Sequence, residues 1–444
     1  MAGECNDGFH CIYICLLCSF VLAISVNTNA CAGDIKTIDR EIDPVIIHGE
    51  KLTWLNGHSI DKIRVFSFRA GKAVMIPFQI DQKDSSGNWV WDVTSQGHSV
   101  DDDDPANSAL FDSNDELVFM SEDTGDRNPE SRTAIPADVV VEIAVEDPVN
   151  QTSGWAYAAI FESDPPPLSP IRYMRYRPVD QTVISPIYEF SYSTEHIAVM
   201  DNLALNSRSI MDRTKIRGQV DWGFLFFKGS IRFNEESIDG YMEGYIDGPV
   251  RTVTRTVDYL RLSSDITTPE INCDHLYYMH HSEVPLLLSM NFPVKRVSML
   301  ITTDYRGEPF DTVYVDGIEI PIRLDTTSSG RNLLADFKHA KWFALNGNIG
   351  FILGIVTPPE ELNNYLEASP YLLQDRNANN PPEAYSGSTP DAGFRINTLP
   401  GIPSGEFVLY ITYLKSPIPF QRGNEHKLLN LINSRLLVDA ALIE

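Results

Sequence analysis

The sequence predicts an all-β fold, and three observations carry that prediction. Past residue 40 the dominant hydrophobic period is two, turn-forming residues punctuate the apolar runs, and stretches with helical periodicity are few. "DKIRVFSFRAGKAVMIPFQID" (61–81) alternates through Ile63, Val65 and Phe68, breaks at Gly71 and resumes. "ADVVVEIAVED" (137–147) and "GWAYAAIFESD" (154–164) behave alike. These runs predict a β-sandwich over 40–163. "DPPPLSP" (164–170) is a stiff proline break and the best linker in the chain. Beyond it, "VISPIYEFSYS", "QVDWGFLFFKGSIRFN", "DGYMEGYIDGPVRTVTRTVDYLRL", "CDHLYYMHHSEVPLLLSMNF" and "KRVSMLITTDY" read as long strands. Their number predicts a larger antiparallel domain over 171–444, with roughly 12 to 16 strands. Helices are expected at "TPPEELNNYLEA", where Thr357 is an N-cap followed by prolines, and at "NEHKLLNLINSRLL". Residues 377–405, rich in Asn, Pro and Gly, read as a long surface loop.

At 444 residues the chain is too long for one ordinary core. With 61 acidic against 35 basic residues its formal charge is −26. Such a surplus repels phosphate backbones and argues against nucleic acid as a partner. Residues 11–26, "CIYICLLCSFVLAISV", are too short to span a membrane and suit the apolar core of an export signal. Ala30 and Ala32 place cleavage after Ala32, so 1–32 is expected to be a signal peptide. A lipid anchor at Cys31 or a retained anchor are the alternatives, since the n-region lacks Lys and Arg and Thr28 replaces the usual lipobox Leu. Only Cys273 lies beyond this segment, a cysteine usage that fits a bacterial envelope: periplasmic or secreted.

Two stretches concentrate polar chemistry. From Asp81 to Asp126 there are thirteen acids against one base, Lys83. Asp112, Asn114, Asp115 and Glu116 fall within five positions and form a candidate calcium site, because calcium takes six to eight oxygen ligands. The competing reading is a solvated acidic loop that protects an edge strand. "NCDHLYYMHHSE" (272–283) holds three of the ten histidines. On one strand Cys273, His275, Tyr277 and His281 would share a face. Tyr277, with His275 or His281, is a candidate base for abstracting the proton beside a uronate carboxylate. Arg251 and Arg255 share strand parity and could neutralise that carboxylate. This mechanism requires Arg255 and Tyr277 on one sheet face. Salt bridges and core packing explain the same residues without catalysis. No G-x-S-x-G, Walker A, Rossmann fingerprint, H-E-x-x-H or C-x-x-C is present, which excludes nucleotide chemistry of the common kinds.

"IPFQID" (76–81), "DSNDELVFMSEDTG" (112–125) and "DGPVRTVTRTV" (247–257) together resemble a group of exported bacterial proteins, mostly of unknown function. The resemblance implies a small β domain carrying "QID…DELVF" and a β-supersandwich carrying "GPVR", of the type shared with polysaccharide lyases and sugar mutarotases. It carries over no catalytic residue. Three functional readings follow: a carbohydrate-binding or structural β protein without catalysis; a polysaccharide-active lyase or hydrolase; and a metal-binding protein. Polysaccharide is the expected partner, calcium the only expected cofactor, and the membrane is reached only through the signal or a lipid anchor.

Overall fold

The computed structural model describes residues 34–94, 109–128, 130–224, 227–263, 266–289, 294–306, 309–324, 333–374, 390–400 and 402–443. The signal segment, Asp101–Asp104 and residues 377–389 of the expected loop lie outside the described residues. Strand accounts for 57% and helix for 9% of the described residues, so the all-β class holds.

Two sheets build the N-terminal sandwich. Pro44–His48, Glu116–Met120 and Phe78–Asp81 form a three-stranded antiparallel sheet with Glu116–Met120 in its centre. A five-stranded sheet runs Lys72–Met75, Ile63–Arg69, Thr152–Ile160, Val139–Asp147, Leu437–Leu442. Between them lie Val45, Ile47, Leu117 and Phe119 from one side and Ile63, Val65, Val141, Ile143 and Val145 from the other. Each set occupies alternate positions of its strand, as period-two burial requires.

The larger assembly has sheets of five, six and eleven strands, exceeding the expected strand number. All three contribute to one apolar core, for example Tyr188 and Phe190, Phe394 and Ile396, and Tyr277, Phe343 and Ile411. The two halves are stitched together twice. Leu437–Leu442, at the far end of the chain, pairs with Val139–Asp147, and Val93–Thr94 pairs with Ile238–Asp247 at the edge of the eleven-stranded sheet.

Two local expectations are corrected. "TPPEELNNYLEA" forms only one 3-10 turn, Glu360–Leu362, before the strand Leu366–Gln374 begins. The prolines and Glu360 start a turn, but Leu366 and Leu372 are buried in the large core, and that packing overrides the local helical pattern. Within 377–405, Asp391–Thr398 is a buried strand between Leu366–Gln374 and Val294–Tyr305. Its two glycine- and asparagine-bearing neighbourhoods hid a clear core alternation of Phe394 and Ile396. The second helix is present as Glu425–Asn433. No helix among the described residues is long and apolar enough to cross a membrane.

Candidate functional site

The acidic run ends in a strand buried on both faces. Leu117 and Phe119 enter the N-terminal core, whereas Val118 and Met120 pack on Val250 of the larger half. Glu116 shares the latter face, and its register partner Asp81 lies beside it. Both carboxylates therefore point across the seam between the halves, where a buried charge must find a partner or be neutralised. The partner is Arg251, 1% exposed, at the start of Arg251–Ser263.

Arg251 donates through Nε to Asp81 Oδ2 at 2.7 Å, through Nη2 to Glu116 Oε2, and through Nη1 to Tyr278 Oη at 3.2 Å. Gln79 fixes the approach: its Oε1 accepts the backbone N–H groups of Val250 and Arg251 at 2.9 and 2.8 Å, and its Nε2 donates to Asp81. Lys83 Nζ donates to Glu116 Oε1 and stands 4.5 Å from the Trp89 ring centre. Burial alone would raise the Glu116 carboxyl, but Arg251 and Lys83 hold it below the usual range. Two cations thus face two carboxylates at this point of the seam.

The calcium candidates take part in this framework. Asp115 accepts the backbone N–H groups of Lys83 and Asp112 at 3.1 and 3.0 Å, and Asp112 accepts that of Asn114 at 3.0 Å. Asn114 Nδ2 donates to the carbonyls of Lys83 and Asp84. Asp112, Asn114 and Asp115 brace the turns and Glu116 is an ion-pair partner, while Asn114 Oδ1 is buried without a hydrogen-bond partner among the described residues. Among the described residues no group of three or more His, Cys, Asp or Glu is arranged to hold a metal ion.

The proposed base and its arginine are separated. Antiparallel register sets Arg251 opposite Tyr278, Thr252 opposite Tyr277, Thr254 opposite His275 and Arg255 opposite Asp274. Directly opposed residues share a face. Arg251 and Arg255 therefore lie together on the seam face, as their parity predicts. Tyr277 and His275 lie on the other face, inside the core. Tyr277 is 1% exposed, its hydroxyl 2.6 Å from that of Tyr192, and burial pushes its ionisation well above 10. Burial pushes His275 down to about 4. His281 does not share their strand: the chain turns at Met279–His280, and His281 opens the next strand on the seam side, fully buried and stacked on Tyr278 at 4.5 Å. Proton abstraction by Tyr277 beside Arg255 is therefore corrected: the sheet stands between them. Arg255 instead grips Asp274, which also accepts Trp89 Nε1–H at 3.0 Å.

What the seam leaves open is a cleft of about 420 Å³. Its floor is the seam face of the eleven-stranded sheet: Arg251, Asp274, Tyr278, Glu283 and Tyr410. Pro44, Ile46 and His48 form one wall; Leu431 of the helix Glu425–Asn433, with Arg435, forms another. Tyr410 is 40% exposed and offers its ring to the opening. Burial raises the Glu283 carboxyl, although Arg435 and Arg251 oppose the shift. Tyr410 and Arg435 did not stand out in the sequence, because each is isolated there, and Glu283, the last residue of the histidine-bearing stretch 272–283, was given no role; only the fold gathers them.

No family model matches the chain, and no curated protein matches it. Among solved structures it is similar to an alpha-mannosidase from Enterococcus faecalis, at 9% identity and a TM-score of 0.47 over 93% of this chain and 45% of that one. A protein in glycosyl hydrolase family 38 from Enterococcus faecalis gives 9%, 0.41, 93% and 46% in the same order. A beta-arabinopyranosidase gives 9%, 0.26, 55% and 40%. The chain spans less than half the length of each. At TM-scores below 0.5 these likenesses carry no functional assignment.

Proposed function

We propose that this is an exported, non-catalytic carbohydrate-binding β protein whose ligand sits in the cleft between the two halves. The observation that carries the reading is the cleft's composition: an exposed tyrosine ring, Tyr410, with four carboxylates (Asp43, Glu116, Asp274 and Glu283) and two guanidinium groups, in about 420 Å³. Sugars present apolar C–H faces that pack on aromatic rings, and hydroxyl groups that both donate and accept; Asp274 and Glu283 accept, and Arg435 donates. Export rests on the apolar run and small-x-small pattern of residues 1–32.

The test is calorimetric titration with a panel of neutral oligosaccharides. Tyr410→Ala and Arg435→Ala should each weaken binding about tenfold or more while leaving the unfolding midpoint in place. Failure of every neutral sugar to bind, or binding indifferent to both changes, overturns the reading.

A second reading is favoured by Glu283. A carboxyl raised by burial and lining an open cleft with Asp274 has the character of a general acid in glycoside hydrolysis. Glu283→Gln distinguishes the two: a hydrolase loses turnover and keeps binding, whereas a binding protein has no turnover to lose.

A further inference from the structure

A second concavity lies on the outer face of the six-stranded sheet, away from the seam. It encloses about 390 Å³, and four of the residues around it are arginines: Arg217, Arg232, Arg296 and Arg395. No acidic residue lines it, in a chain with 61 acids against 35 bases. Register explains how the four meet. Arg217 stands opposite Leu300, which stands opposite Arg395; Gln219 is opposite Arg232 on one side and Ser298 on the other; Asp221 is opposite Arg296. Opposed and alternate residues share a face, so all four arginines project outward. The intervening positions Ile301, Phe394 and Ile396 turn into the core.

Strand spacings of about 4.8 Å and a rise of about 3.3 Å per residue put the Cα atoms of Arg217 and Arg232 about 8 Å apart, Arg217 and Arg395 about 10 Å, and Arg217 and Arg296 about 14 Å. Gln219, Ser298 and Asn397 lie between them. Arg232 Nε donates to Gln219 Oε1 at 3.1 Å, and the Arg395 guanidinium rests 5.0 Å from the Tyr371 ring centre. Asp221, at the end of this face, is hydrogen-bonded by Gln219 Nε2 at 2.9 Å. Its hydrogen bonds from Gln219 and Ser230, with the charges of Arg296 and Arg232, hold the Asp221 carboxyl below the usual range. The result is a positive trough with one acid at its margin.

We propose that this trough binds an acidic, carboxylate-bearing polysaccharide. Arginine forks match carboxylates in two-point contacts. Their dispersion over about 8–14 Å suits charges carried at intervals along an extended chain better than one compact anion. The amide and hydroxyl side chains between them suit the sugar hydroxyls between those charges. A duplex nucleic acid, with one charge per about 1.7 Å, would bring far more repulsion from a protein of charge −26 than four arginines offset. The choice of a glycan over other anions rests on the carbohydrate reading above; the anion site itself does not.

The experiment compares polygalacturonate with dextran of matched length, using the full chain. Polygalacturonate should bind, and Arg232→Glu/Arg296→Glu should weaken it about tenfold or more at about 50 mM salt, with the difference shrinking by about 200 mM. Both arginines are exposed, and the neutral pair Arg232→Gln/Arg296→Gln should give an intermediate loss with an unchanged unfolding midpoint. Equal affinity of the charge-reversed and parent proteins overturns the proposal. So does equal weakening of dextran, or tighter binding of polyphosphate or single-stranded DNA than of polygalacturonate. Tyr410→Ala/Arg435→Ala separates the two sites: loss of neutral-sugar binding with polygalacturonate binding retained leaves the trough standing, whatever becomes of the cleft reading.

Discussion

Arg251 and the trough arginines are the same side chain put to opposite uses. Arg251 is 1% exposed, and its donors are consumed by Asp81, Glu116 and Tyr278. Arg232 and Arg296 are exposed, and the acid beside them, Asp221, stands opposite Arg296 at the margin of the concavity. A guanidinium walled in by carboxylates holds two sheets together; one facing solvent with a single carboxylate at its margin keeps charge available to a visitor. The difference lies wholly in what the neighbouring strands bring, so an arginine's role is a property of its sheet and not of its own sequence window.

The largest expected effect breaks or upholds that contrast directly. Arg251→Leu leaves Asp81 and Glu116 buried without their cation and should cost about 3–5 kcal/mol or abolish folding. Arg232→Ala should stay within about 0.5 kcal/mol of the parent. Urea unfolding of both variants measures the gap, and similar costs would erase the distinction.

Acid should act next most strongly, through histidines that burial keeps neutral. His275 and His280 are both pushed from 6.5 down to about 4, in each case first by burial. In the unfolded chain each binds a proton below 6.5, which the folded chain refuses until about 4. Their contribution is therefore fully present above pH 6.5 and is lost as pH falls toward 4, by up to about 1.4 kcal/mol per pH unit for each. Stability measured across pH 7 to 4 should show this slope, and His275→Gln should flatten it. A profile unchanged by that substitution would place the titration elsewhere.

Gly248 probes the seam more gently. A Cβ there would sit 2.1 Å from Gln79 Oε1, an atom already held by two backbone N–H groups. Gly248→Ala should cost about 1–3 kcal/mol, seen as a lowered urea midpoint; an unchanged midpoint would mean that Gln79 can yield. The smallest effect belongs to Tyr277→Phe. Losing the hydroxyl contact with Tyr192 should cost about 1 kcal/mol and leave glycan affinity untouched in the same titrations; an unchanged urea midpoint would mean that this contact contributes nothing.

Much of the architecture was legible because period-two alternation reports burial locally. Val141, Ile143 and Val145 face one core in the structure as they do on paper. The three stretches that carried the family resemblance also converge, since Gln79, Asp81, Glu116 and Arg251 all meet at the seam. Alternation gives parity within a strand, however, and says nothing of register between strands. Arg251 and Arg255 were correctly placed on one face for that reason. Tyr277 was joined to them wrongly because its face depends on standing opposite Thr252. His281 was misjudged because a turn at Met279–His280 interrupts what reads as one continuous strand. The trough had no local signal at all: its four arginines come from four different strands.

The return of Leu437–Leu442 to the side of Val139–Asp147 sets an order of events at birth. Every other strand of that five-stranded sheet precedes the proline linker, so during synthesis the N-terminal sandwich must wait, with one flank of Val139–Asp147 open, until the whole larger assembly has emerged. An open flank of Val and Ile is a template for wrong partners, and pairing across so long a stretch of chain is slow. The exposed Glu146 on that waiting strand supplies like-charge repulsion against a second nascent copy. The last strand is in this sense a latch, and the newborn protein is exposed to self-association until it closes.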